Sequence, residues 1–301
     1  GTNNNIGIDA QENTNYNLFN NNKISTKGDT TANYGIYLLT SVGNNITNNN
    51  VATNGTSTNY GIHLVTTSTD NIINNNIISA GGSTTDNYGI YLVDATTNNV
   101  TNNNITTNGT DSNKGIILSS SANYNLIDNN LVNAAGSGNS NCGIYLSGAT
   151  TNNVTNNNIT TNGTSNNFGI NLDSGANDNN INKNLISTGG SAGGNYGIYL
   201  LNTISGNNIT NNNIITNGTS SNHGISLDTT VNNNLISNNR INTGGSSNQN
   251  YGIYLVTDAS ENNITNNNIT TNGTSANYGI YLYSRANNNN ISHNIISTNG
   301  P

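Results

Sequence analysis

The chain is short of most of what builds a conventional core or an enzyme site. It has one cysteine, one proline and no methionine or tryptophan in 301 residues. A single cysteine excludes an internal disulfide framework. Cys142 stands where most other repeats carry Tyr, so it reads as a substitution rather than a reactive thiol. Charged residues make up 6% of the chain, and only six are basic. Those six (Lys23, Lys27, Lys114, Lys183, Arg240 and Arg285) are scattered. No basic patch exists to hold phosphates, which argues against a nucleic-acid partner. The net charge is −7. No apolar run approaches the length of a membrane span.

What the chain does have is asparagine: 80 residues, about a quarter of the total. Such polarity usually signals disorder or a prion-like tract. Disorder, however, has no use for apolar residues at invariant spacing. Gly-Ile-x-Leu begins at Gly35, Gly61, Gly89, Gly115, Gly143, Gly169, Gly197, Gly224, Gly252 and Gly279, with a degenerate copy at Gly7. The steps are 26 to 28 residues. A fixed period of this size marks a solenoid or another repeat array.

Each repeat carries three apolar stations. The first is the Ile-x-Leu of the quartet. The other two lie five residues apart, as in Ile73/Ile78, Val100/Ile105 and Ile127/Val132, and eleven such pairs follow without a slip from Phe19/Ile24 to Ile291/Ile296. Helices need apolar residues at three- and four-residue steps over longer stretches. Short runs in which β-branched residues alternate with polar ones are strands with one buried face. The expected fold is all-β: a parallel β-helix of about eleven coils of ~27 residues, three short strands per coil, forming a rod on the order of 50 Å long. It occupies 1–301 as a single domain, or as a segment of a longer array. Asn tolerates left-handed turns, and its amide both donates and accepts, so successive Asn residues are expected to form ladders.

The pattern Asn-x-Ile-x-Asn-Asn-x-Ile, followed by Tyr-Gly-Ile-Tyr-Leu, resembles the right-handed parallel β-helix repeat family. The resemblance covers residues 7–298. That family includes pectate-lyase-like folds, NosD-like periplasmic proteins and many microbial surface proteins. The resemblance implies a right-handed solenoid. It leaves function open, because lyases, epimerases, tailspikes, adhesins and structural proteins share the fold.

A second periodicity makes the true repeat two coils, ~54 residues. Alternate coils carry Tyr between the Ile and the Leu: Tyr37, Tyr91, Tyr145, Tyr199 and Tyr254, with Tyr281 added in the last coil. Strand alternation turns this position outward. The row is therefore either a cover for the outer sheet or a contact stripe for sugars or a neighbouring rod.

Catalytic constellations are sparse. Asp94, Asp173, Asp228 and Asp258 follow the first strand at similar offsets but skip coils, which gives weak support to a glycosidase pair or a calcium cage. His63, His223 and His293 fall at different places in the coil and read as surface substitutions rather than a metal site. No cofactor is expected. Asn-Gly-Thr recurs once per alternate coil, at Asn54, Asn108, Asn162, Asn217 and Asn272, in what reads as the longest turn, where a glycan could attach.

The function expected from these features is structural. The chain would be a non-enzymatic, extracellular or cell-surface building block of a layer, sheath or filament, or an adhesin, self-associating end to end or laterally. The alternative is a carbohydrate-binding or carbohydrate-cleaving β-helix that uses the Tyr face. A third reading, an ice-binding solenoid, rests on Thr47, Thr101, Thr155, Thr210 and Thr265, which recur only every second coil.

Overall fold

A computed structural model describes residues 4–29, 32–56, 58–83 and 85–299. Each coil gives one strand to each of three parallel sheets, and every sheet has eleven strands. In one central coil these are Asn87–Val93, Asn99–Thr101 and Asn104–Asn108. Neighbouring strands in a sheet are always one coil apart. A small extra sheet pairs Ile204–Ser205 with Val231–Asn232. No helix occurs among the described residues.

Register places like on like. Ile36, Ile62, Ile90, Ile116 and Ile144 pair in succession along the first sheet. Ile73, Val100 and Ile127 do so in the second, and Ile78, Ile105 and Val132 in the third. All are buried. Each such side chain contributes about 1.5–3 kcal/mol by leaving water.

Gly89 shows why the quartet starts with glycine. A β-carbon there would run into Ile105 Cγ2 and into the carbonyl oxygen of Gly115 in the next coil. Gly89 and Ile90 both face the core, so the in–out alternation breaks at this step. The break turns Tyr88 outward on the same face as Tyr91.

Asparagine fills the corners in two ways. Between the second and third strands, Asn48, Asn75, Asn102, Asn129 and Asn156 adopt left-handed φ of 53° to 56°. The residue after each is a buried ladder Asn. Asn103 Nδ2 donates to Asn130 Oδ1 at 3.0 Å and to the Ile73 carbonyl at 2.8 Å. A second ladder runs through Asn98 and Asn125 (3.1 Å), and a third through Asn87 and Asn113 (2.8 Å). The ladders satisfy backbone groups that the turns would otherwise strand in a dry interior.

Candidate functional site

The outer face of the first sheet carries two rows of rings. One row is the position expected from the sequence: Tyr37, Tyr91, Tyr145, Tyr199, Tyr254 and Tyr281. The other is the residue before each glycine: Tyr34, Tyr60, Tyr88, Phe168, Tyr196, His223, Tyr251 and Tyr278. The glycine break brings the two rows together, so Tyr34 and Tyr37 have ring centroids only 5.3 Å apart.

Stacking then runs along the rod. Tyr60 lies 4.8 Å from Tyr34 and 4.7 Å from His63, nearly parallel to both, and His63 lies 4.9 Å from Tyr91. A second group continues through Tyr196, His223 and Tyr251 at 5.0 and 4.8 Å. Tyr254 and Tyr281 stack at 5.5 Å. The file breaks in the middle, where Lys114, Ile117, Cys142 and Asn171 take ring positions. Lys114 Nζ bridges the gap, 5.2 Å from the Tyr88 ring centre and 5.7 Å from that of Tyr145. Most ring faces are covered by other rings. The strip therefore offers mainly ring edges and hydroxyls.

Carboxylates flank those hydroxyls. Tyr145 Oη donates to Asp173 Oδ2 at 3.1 Å, and Tyr199 Oη donates to Asp228 Oδ2 at 3.2 Å. Each carboxylate sits one coil beyond its tyrosine, because Ser147 registers with Asp173 and Leu201 with Asp228, in each case two residues past the tyrosine. Tyr88 Oη likewise donates to Asp86 at 3.0 Å. Burial, and then the adjacent carboxylate, raise the Tyr199 phenol; burial raises Tyr145 to about 12. Asp258, the other carboxylate singled out in the sequence, pairs instead with Arg285 at 2.9 Å. Asp94 Oδ1 accepts from the backbone N–H of Ser121 at 3.1 Å.

Two histidines depart from expectation. His63 and His223 are 8% and 4% exposed, not surface substitutions. Alternation does turn His63 outward, but rings from the coils on either side cover it. Burial lowers both to about 4. Cys142 is also buried, its thiol raised to about 12 by burial, with Sγ donating to the Ile144 carbonyl at 3.3 Å.

The Asn-Gly-Thr asparagines are exposed. They end the third-sheet strands rather than sit in the longest turn: Asn54, Asn108, Asn162 and Asn272 lie within their strands, and Asn217 just past one. Three of the five threonines of the ice-binding reading, Thr101, Thr155 and Thr210, are engaged by side chains of the preceding coil. Thr101 Oγ1 donates to Asn74 at 3.0 Å and Thr155 Oγ1 to Asp128 at 2.6 Å.

A family model described as a right handed beta helix region matches residues 2–132. Another, described as periplasmic copper-binding protein (NosD), matches residues 79–220. Together with the three stacked parallel sheets, the two matches support a right-handed parallel β-helix repeat family. This β-helix is similar to a solved double mutant of the periplasmic alginate epimerase AlgG, at 12% identity and TM-score 0.49, over 91% of this chain and 77% of that one. It is similar to the catalytic domain of a GH87 α-1,3-glucanase in complex with nigerose, at 17% identity and TM-score 0.42, over 96% and 64% of the two chains. It also resembles the A-module of the Azotobacter vinelandii mannuronan C-5 epimerase AlgE6, at 12% identity and TM-score 0.40, over 94% and 80%. No curated protein sequence matches it.

These likenesses are of fold alone and assign no substrate. They do correct the expectation that the chain is not an enzyme: solved proteins of this architecture are carbohydrate-modifying enzymes. The NosD description raises copper, and the described residues do not fit it. No three His, Cys, Asp or Glu side chains converge among them. His63 and His223 lie flat between rings in distant coils.

Proposed function

We propose that this β-helix binds a neutral polysaccharide along the ring-lined face of its first sheet, outside the cytoplasm in an extracellular or periplasmic setting. The observation that carries the reading is the repeated phenol–carboxylate pair, Tyr145 with Asp173 and Tyr199 with Asp228, set two coils apart along one strip. Carboxylates accept from sugar hydroxyls, ring edges supply apolar contact to the sugar carbons, and phenols serve both roles. A linear glycan laid along the rod meets a fresh phenol–carboxylate pair every second coil, roughly 9.6 Å by the strand spacing.

Charge selects for a neutral chain. The strip has Asp86, Asp173 and Asp228 against one lysine, Lys114, and the protein carries −7 overall. A polyanion would meet net repulsion along most of this face. The filament-building expectation draws on the uniformity of the repeat and the sparse catalytic residues. The glycan reading draws on the side chains of the face itself.

Affinity electrophoresis in gels containing soluble neutral glucans or mannans is the test. Retardation is expected to fall about tenfold, the size of one to two lost polar contacts, in Tyr199→Ala and Asp228→Asn, with unchanged circular dichroism. Equal retardation of both variants and the parent would reject the ring face as the site. New reducing ends in the same samples would show that binding proceeds to cleavage.

A further inference from the structure

The third sheet carries a second feature, on a different face. Two adjoining cavities of about 480 and 330 Å³ share Ile215 and Asn217 and form a trough along several coils. No charged side chain lines either of them. At one strand-end position, alternate coils place Asn162, Asn217 and Asn272, and the coils between place Gly189 and Gly244. The trough is thus a row of amides separated by pits, one pit every second coil, roughly 9.6 Å apart by the strand spacing.

The pits are not required by the fold. A β-carbon at Gly244 would meet nothing within 4 Å, and at Gly189 only the Asn217 carbonyl oxygen at 3.9 Å. Neither residue has a left-handed φ. The next residue in each coil behaves differently. A β-carbon on Gly190 would approach the Thr164 carbonyl oxygen at 2.6 Å and the Asn167 amide at 2.9 Å. The second glycine of each pair is demanded by the Asn ladder, and the first only leaves room.

The amides beside the pits are held in place. Asn162 Oδ1 accepts from the Gly163 backbone N–H, and Asn217 Oδ1 accepts from that of Gly218, both at 2.9 Å. This fixes each side-chain plane and leaves the two Nδ2 hydrogens without a protein acceptor among the described residues. Ile215, 41% exposed, gives the floor one apolar contact. Oriented neutral donors, hydroxyls from Thr160 and Ser187, and an apolar floor in a cavity of this size are the makings of a carbohydrate site.

We propose that the trough is a second glycan-binding site, holding a neutral polysaccharide parallel to the rod axis with alternate sugar units seated over Gly189 and Gly244. It lies on a different sheet from the ring strip and stands or falls separately from it. The two sites would let one rod hold two polysaccharide strands.

The variant that tests this is Gly189→Asn/Gly244→Asn, which fills both pits with the residue that neighbouring coils already carry at that position. It is expected to fold with an unchanged melting temperature. Asn217→Ala is the second variant. Dextran, laminarin and glucomannan serve as probes in affinity electrophoresis of the full chain, in a Tyr199→Ala background that weakens the ring face about tenfold. At least one probe is expected to retard that background, with both trough variants about tenfold weaker. No retardation of the background by any probe, or equal retardation after the pits are filled, would overturn the trough and leave the ring-face reading intact. A glycan covalently attached to Asn217 in native material, seen by peptide mass spectrometry, would also overturn it.

Discussion

Asn130→Asp is expected to split the rod at neutral pH. Asn130 Oδ1 accepts from the backbone N–H and the Nδ2 of Asn103, both at 3.0 Å, while its own Nδ2 donates to Asn157 Oδ1 at 3.0 Å and the Val100 carbonyl at 2.9 Å. The aspartate keeps the acceptor and loses the donor. It sets a carboxylate against the Val100 and Asn157 oxygens in a site that is essentially dry. Two stranded buried acceptors cost about 1–3 kcal/mol each, and an unpaired buried charge costs about 3–5 kcal/mol. A solenoid's stability is a sum over coils and their interfaces, so one failed interface divides it. Urea unfolding should change from one transition to two, with hydrogen exchange rising first in coils around residues 100–160. Burial raises the new carboxyl above its unfolded value. Its neutral form keeps the rod intact below the ordinary carboxylate range, and stability falls as pH rises through and above it. Wild-type-like unfolding of this variant at pH 7 would mean that the ladder does not hold the coils together.

Acid is expected to destabilise the wild type in the opposite sense, through the two histidines within the ring stack. Both titrate near 4 when folded, against an ordinary 6.5. Their folded values are depressed, so stability is fully present above about pH 6.5, falls as pH drops toward 4, and levels off below. A shift of this size corresponds to about 3 kcal/mol per histidine at about 1.4 kcal/mol per unit. Neither nitrogen of His63 has a hydrogen-bond partner among the described residues, and both are buried. Protonation would place an unpaired cation among Tyr34, Tyr60 and Tyr91. His63→Phe/His223→Phe keeps a ring at each place and removes the titration. Its melting temperature should be nearly flat between pH 7 and pH 4.5, where the wild type loses several degrees. Parallel slopes for the two proteins would assign acid sensitivity to other groups.

The coil was legible in the sequence because its determinants are local and repeated. Ile stations five residues apart and a recurring Gly-Ile-x-Leu define three strands and a corner, and the structure stacks them as expected. The double ring row leaves a signal in the sequence, since Tyr34, Tyr60, Tyr88, Phe168, Tyr196 and Tyr251 all precede the glycine, but alternation hides its direction. Strict alternation would send that residue and the one after Ile to opposite faces. Only the break at glycine, forced by Ile105 and the next coil's carbonyl in the case of Gly89, puts them on one face. The burial of His63 is hidden in the sequence for a related reason. Its outward direction is a property of its strand, but its burial comes from rings one coil before and after, which register alone supplies. The Tyr199–Asp228 pair was hidden too, because its members are 29 residues apart and meet only across one coil step. The Gly189 and Gly244 pits could not be told from the ladder-bound glycines beside them without knowing what a side chain would touch.

Hydroxyl-radical footprinting of the tyrosines, with and without a neutral oligosaccharide that retards the protein, tests the ring-face site most directly. Tyr16 and Tyr124, 80% and 63% exposed and off the strip, serve as internal controls. Protection of Tyr145, Tyr199 and Tyr254, with unchanged oxidation of Tyr16 and Tyr124, is the predicted result. Binding without protection of the strip, or protection confined to the two control tyrosines, would contradict it.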